Sequence, residues 1–181
     1  GHNKIYRITG DNKEISVKTE VLNQITITTI PVGPIETNCY LVANKETKKG
    51  FLIDPGAQAD RILDAAKTQG VTITKIFLTH GHFDHIMAIN QLKEKIKVEV
   101  LIGKDEDELL REPSLNCSAE VGHPYMVAAD VLLHDCQKID FEGTEMEVIF
   151  TPGHTGGGVC YHIPEEKVLF SGDTLFQCSI G

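Results

Sequence analysis

The stretch "LTHGHFDHIM", residues 78–87, carries three histidines and an aspartate within six consecutive positions, 80 to 85. The whole chain has eight histidines in 181 residues, so the cluster stands well above background. An apolar run, "TKIFL" (74–78), leads into it, and "HIMAINQLKEKI" (85–96) follows with helical spacing. The cluster therefore falls where a buried strand ends and a helix begins. Side chains at such a junction are exposed at a sheet edge yet held by rigid elements. Neutral imidazole is a strong zinc ligand and aspartate supplies a harder oxygen. His80 and His82 in an H-x-H spacing diverge from a short turn onto one ion, and Gly81 between them permits the turn. Asp84 and His85 then open the helix and face a neighbouring position. A solvated loop with chance histidines is the competing reading.

Outward from the cluster, strands and helices alternate. "QITITTIPV" (24–32), "NCYLVANK" (38–45) and "KGFLIDPG" (49–56) read as strands, and "AQADRILDAAKTQG" (57–70) as an amphipathic helix stopped by Gly70. "KVEVLIG" (97–103) reads as a strand and "KDEDELLRE" (104–112) as a short acidic helix, while 113–130 reads as loop. "TEMEVIFTPG" (144–153), "GVCYHIPEE" (158–166) and "KVLFSGDTLF" (167–176) are β-rich. The opening 4–20 resembles a hairpin turning at 10–12. Two further candidate ligands stand in turns after strands: His154 in "FTPGHTGGG" (150–158) and Asp173 in "LFSGDTLF" (169–176). Taken singly, each is an ordinary turn residue. Taken with the cluster, they form a ligand set converging on one sheet edge.

T-H-G-H-F-D-H, T-P-G-H-T and S-G-D-T, in that order, resemble the metallo-β-lactamase superfamily, and "FLIDPG" with "GDTLF" resembles its glyoxalase II-like branch. The resemblance covers about residues 24–181, with 1–23 as an N-terminal extension. It implies an α/β fold, an αβ/βα sandwich with a metal centre at one edge. It also implies that His80, His82 and His154 hold one ion, Asp84 and His85 a second, with Asp173 bridging. Asp54 is implied as a support for the ligand turn; a helix cap or turn-former is the alternative. Members of this kind carry one more histidine downstream of the Asp173 position, and a final strand and helix. The chain stops at Gly181 without them, so the expectation is a sandwich whose second half is incomplete. His123, His134 and His162 are candidates to replace that ligand. Cys178 stands where Gly is common in the family, and Gly156 where Pro is frequent.

The composition bounds the partners. The length suits one domain, and 41% hydrophobic and 24% charged residues are ordinary for a globular chain. A net charge of −9 argues against nucleic acid, which needs a basic face. No apolar run reaches the length of a membrane span. The cysteines at 39, 117, 136, 160 and 178 are odd in number and lack a C-x-x-C, which suits reduced thiols and a cytoplasmic location. A small-molecule substrate is expected, and a tendency of chains to associate through uncovered apolar surface.

Zinc, one or two ions, is the expected metal, with iron or manganese as alternatives. Zinc held by histidines with an open position lowers the pKa of its water to about 7. Asp84 is the candidate proton acceptor when its own metal position is empty. With the resemblance supplying the substrate class, hydrolysis of a thioester or other small ester-like bond is expected. The rival readings are an iron persulfide dioxygenase-like enzyme using His80, His154 and Asp173, and a metal-binding fragment of impaired activity.

Overall fold

The structure is a computed structural model that describes residues 4–7, 17–33, 37–81, 85–111, 127–151 and 158–171. Strands between residues 18 and 133 build one sheet. It comprises β2 (Lys18–Val21), β3 (Ile25–Val32), β4 (Thr37–Asn44), β5 (Lys49–Ile53), β6 (Thr72–Leu78), β7 (Glu99–Gly103) and β8 (Val131–Leu133), side by side in chain order. Strands β2 to β5 are antiparallel, and β5 to β8 run parallel. Helices α1 (Ala59–Gln69), α2 (Ile89–Lys95) and α3 (Asp107–Arg111) fill the connections between the parallel strands, as parallel pairing requires. A second sheet has the order β1 (Lys4–Arg7), β12 (Val168–Ser171), β11 (Val159–Ile163), β10 (Thr144–Phe150) and β9 (Lys138–Phe141).

Strand parity explains the layering. Along β4 all eight residues are buried, because its two faces feed two different cores. Tyr40 and Val42, with Phe51, Ile53, Phe77 and Leu101, pack against Phe141, Val148, Tyr161 and Phe170 of the second sheet. Cys39 and Leu41, with Leu52, Ile76, Leu78, Val100 and Ile102, face Ile62 of α1, Ile89 and Leu92 of α2 and Leu110 of α3. This is why "FLI", "IFL" and "VLI" read as unbroken apolar runs rather than alternations. Aromatic rings tie the sheets together: Phe51 meets Phe77 at 5.1 Å and Phe141 at 4.9 Å, and Phe77 meets Tyr161 at 5.4 Å. Such pairs contribute about 0.5–1.5 kcal/mol beyond area burial. The expected sandwich is therefore present. Among the described residues, all three α-helices lie on the seven-stranded sheet and none covers the other.

Local chemistry accounts for the boundaries. Helix α1 ends as Gly70 suggested: Gly70 takes φ 67°, and Val71 N–H donates to Ala66 O at 2.9 Å. The helix expected over 85–96 is shorter. Residues 85–88 form a turn, because Met87 and Ala88 donate their amides to Gly56 O and Pro55 O, at 3.1 and 3.0 Å, in the loop after β5. The hairpin expected over 4–20 is replaced by separate pairings: β1 lies parallel to β12, and β2 antiparallel to β3. The two strands thus join different sheets, β1 beside a strand far along the chain and β2 beside its immediate successor. The hairpin β9–β10 was seen only in its second strand. Its signal was the pair Glu142-Gly143, whose φ values of 50° and 84° make a two-residue turn of the primed kind.

Candidate metal centre

Strands β5, β6 and β7 are parallel, so their carboxyl ends reach one edge together, the usual place for a site in such a sheet. Thr79 and His80 follow β6 there, and Asp54 follows β5. Asp54 is fully buried and sits at φ 52°, a left-handed conformation that costs a residue with a side chain about 1–2 kcal/mol. The conformation turns its carboxylate onto the end of β6. Oδ1 accepts the Thr79 amide at 2.8 Å, and Oδ2 accepts the Thr79 hydroxyl in a short hydrogen bond. Oδ2 also lies 2.8 Å from Nδ1 of His85. Asp54 is not the cap of α1; that position belongs to Gln58, whose side chain instead accepts the Gly33 amide at 2.9 Å.

The turn is braced from the other sheet as well. Val159 N–H at the start of β11 donates to Thr79 O at 2.8 Å, and the Tyr161 hydroxyl donates to Leu78 O in a short hydrogen bond. From β7, the 3-10 turn Lys104–Glu106 sends the buried Glu106 carboxylate to the Gly81 amide, at 3.3 Å. Burial pushes the Tyr161 phenol and the Cys39 thiol well above their usual ranges, and the negative charge of Asp54 adds to both shifts.

Of the expected ligands, His80 and His85 are brought together. Both are buried, with ring centroids 3.9 Å apart and planes at 58°. His82, Asp84, His154 and Asp173 lie outside the described residues. Among the described residues, no group of three or more His, Cys, Asp or Glu side chains is placed to hold an ion. Two backbone facts concern the described residues nearest in sequence to His154 and Asp173. Thr151 N–H donates to Gly158 O at 2.8 Å, and Val159 N–H, next to Gly158, donates to Thr79 O. Strand β12 is antiparallel to β11, with Phe170 opposite Tyr161, so it runs out toward that same edge at Ser171. Of the substitute histidines, His134 is exposed after β8, His162 sits half-buried on β11 opposite Glu147, and His123 lies outside the described residues.

The donor chemistry suits a divalent cation. A carboxylate facing Nδ1 keeps the proton there and leaves the lone pair of His85 on Nε2, the arrangement found behind most metal-binding histidines. The Nε2 atoms of His80 and His85 are both buried. Glu106 and Tyr161 were not singled out from the sequence. Their signal is the order of strands, which places β7 and β11 against β6 and is not written in the chain.

A family model described as the metallo-beta-lactamase superfamily matches residues 32–181. A probable metallo-hydrolase of Bacillus subtilis, YqgX, is 35% identical over 84% of this chain and 72% of its own. The hydroxyacylglutathione hydrolase GloC of Haemophilus influenzae is 34% identical over 84% of this chain and 73% of its own. Among solved structures, the B3 metallo-beta-lactamase BLEG-1 superposes with a TM-score of 0.76 at 37% identity, over 81% of this chain and 71% of that one. TTHA1623, solved in a di-iron-bound form, gives a TM-score of 0.66 at 30% identity, over 80% and 71%. Two sheets in face-to-face layers, a histidine turn at the end of β6 and a family match over most of the length agree: the chain belongs to the metallo-β-lactamase superfamily.

Proposed function

We propose that this chain is a metal-dependent hydrolase of a thioester or another small ester-like bond. The observation that carries the reading is the 2.8 Å contact of Asp54 with His85 Nδ1, made by a carboxylate that also holds Thr79. A buried imidazole oriented in this way is built to present Nε2 to an ion. His80, His82 and His154 are the proposed ligands of one ion, and Asp84 and His85 of another, with Asp173 shared. A bound zinc ion would supply an acidified water and polarise the carbonyl under attack. The chain's own part is to hold the imidazoles at fixed directions, to exclude bulk water from their bases, and, where the second ion is not bound, to offer Asp84 as proton acceptor. The thioester class is supported by relatives named hydroxyacylglutathione hydrolase, GloC among them. A second reading, β-lactam hydrolysis, is favoured by the likeness to BLEG-1.

The test is a panel assay of the chain loaded with zinc, iron or manganese. The substrates are a hydroxyacyl-glutathione thioester, a lactone, a β-lactam and, with an oxygen electrode, glutathione persulfide. Thioester turnover that disappears in His82→Ala together with bound metal is the expected result. A metal-loaded chain that leaves every ester-like bond intact, or that consumes oxygen on persulfide, refutes the proposal. Preferential opening of the β-lactam moves the assignment to the second reading.

A further inference from the structure

We propose that Glu106 is a positioning residue for the ligand turn, acting by fixing the backbone on the far side of His80. The inference rests on the metal-centre reading above. His80 stands between two peptide groups. The Thr79–His80 peptide is held through its oxygen, which accepts from Val159 N–H at 2.8 Å. The His80–Gly81 peptide is held through its N–H, which donates to Glu106 Oε1 at 3.3 Å. Together the two contacts set φ and ψ of His80, and so the direction in which its imidazole leaves the chain. The second contact matters more because Gly81 follows. A glycine lacks the steric limits that would otherwise keep that peptide in one orientation.

The placement is selective. In the run Lys104-Asp105-Glu106, the first two residues are exposed and Glu106 alone is buried, at 2% exposure. Burying a carboxylate is unfavourable unless donors or a cation meet it. The turn after β7 sends one inward to the residue between His80 and His82, whose amide is one of the donors that meet it. With Asp54 reaching in from β5, a carboxylate enters from each strand that flanks β6. Asp54 holds Thr79 and His85; Glu106 holds Gly81. The first serves the start of the turn and its last histidine, the second the peptide between its first two.

Three substitutions separate acceptor, charge and bulk. Glu106→Gln keeps an oxygen for the Gly81 amide and removes the charge. Glu106→Met keeps the bulk without an acceptor, and Glu106→Asp keeps the charge but withdraws it by one methylene. Zinc affinity is read by competition with a chromophoric chelator, and ligand geometry by the visible absorption of the cobalt-substituted chain. The melting temperature of the metal-free chain is recorded beside them. Expected are zinc binding weakened roughly 10–100-fold in Glu106→Met and Glu106→Asp, shifted cobalt bands in both, and restoration of affinity and bands in Glu106→Gln. If Glu106→Met does not fold, the Asp and Gln variants decide between them. Parent-like affinity and bands in the Met and Asp variants overturn the proposal. So does a Gln variant as impaired as these, which would mean that charge or packing acts rather than the accepted hydrogen bond. Lower metal-free melting with unchanged cobalt bands assigns Glu106 to the fold alone and also overturns it. A parent chain that binds neither zinc nor cobalt removes the metal-centre reading itself, a failure plainly distinct from the others.

Discussion

Replacing Asp54 by alanine strips the acceptor from three groups at once: the Thr79 amide at 2.8 Å, the Thr79 hydroxyl, and His85 Nδ1 at 2.8 Å. All of them are buried, with Asp54 and His85 at 0% exposure and Thr79 at 1%. Each buried donor left without a partner costs about 1–3 kcal/mol. Alanine would also inherit φ 52°, which aspartate tolerates better. Two effects oppose these losses. Water entering the vacated space recovers some hydrogen bonding, and the desolvation cost of the carboxylate disappears. The net loss should be about 3–5 kcal/mol, the usual consequence of breaking a buried charged network. For a chain of this length each kcal/mol shifts Tm by about 2–4 °C, so a fall of roughly 6–20 °C is expected by calorimetry. Asp54→Asn is the informative companion. Its amide nitrogen facing His85 would move the imidazole proton to Nε2, the atom reserved for metal. Stability should fall less than in the alanine variant, while zinc affinity drops roughly 10–100-fold. An alanine variant within about 1 kcal/mol of the parent, or an asparagine variant with parental zinc affinity, would refute the reasoning.

Other consequences follow from packing and charge. A Cβ on Gly50 would lie 2.8 Å from Val42 O and 2.8 Å from Val71 Cγ1, so Gly50→Ala should destabilise by about 1–3 kcal/mol in urea melts, through backbone displacement between β4 and β5. Burial raises the Cys39 thiol and Tyr161 phenol, so the folded state holds these protons more tightly than the unfolded one. Their contribution is complete below pH about 8.5 for the thiol and about 10 for the phenol, and is lost as pH rises beyond those values. Denaturant melts should therefore show stability falling through the alkaline range, and a flat profile from pH 8 to about 11 would contradict this. Peptide mapping after brief thiol labelling should find Cys136 modified in the native state and Cys39 and Cys160 only after unfolding. Because Asp135 raises the Cys136 thiol, that labelling should speed up markedly toward alkaline pH. If the centre binds metal, chelation should lower Tm, by an amount that grows with the metal concentration of the untreated sample; identical melts with and without chelator would count against a bound ion.

The turn that begins at His80 could be read in the chain because its signals are local. H-x-H-x-D-H is a spacing, and the apolar run before it marks a strand that must end where the polar residues start. Asp54 could be proposed because "LIDPG" closes a strand, but the same residues fit a helix cap equally well. Only the fold decided between them, by bringing Asp54 against Thr79 and His85, 25 and 31 positions away. The opening segment misled for a related reason. Residues 4–20 look like a self-paired hairpin, yet β2 pairs with the next strand, β3, and β1 with β12 from the far end of the chain, a partner that no local signal announces.

The sequence by itself determined most of the strands and α1, and the donor types available for a metal. Apolar periodicity and turn residues depend on neighbours within a few positions, and an imidazole or carboxylate declares its donor type wherever it stands. Strand order belonged to the tertiary structure alone. It placed β5 and β7 on either side of β6, laid β11 of the opposite sheet over the end of β6, and so chose Asp54, Glu106 and Tyr161 out of many carboxylates and hydroxyls. Those three act on backbone groups of residues 78–81 across separations of 25 to 83 positions, where no sequence period operates. The burial that gives their hydrogen bonds strength exists only after both sheets have closed over them.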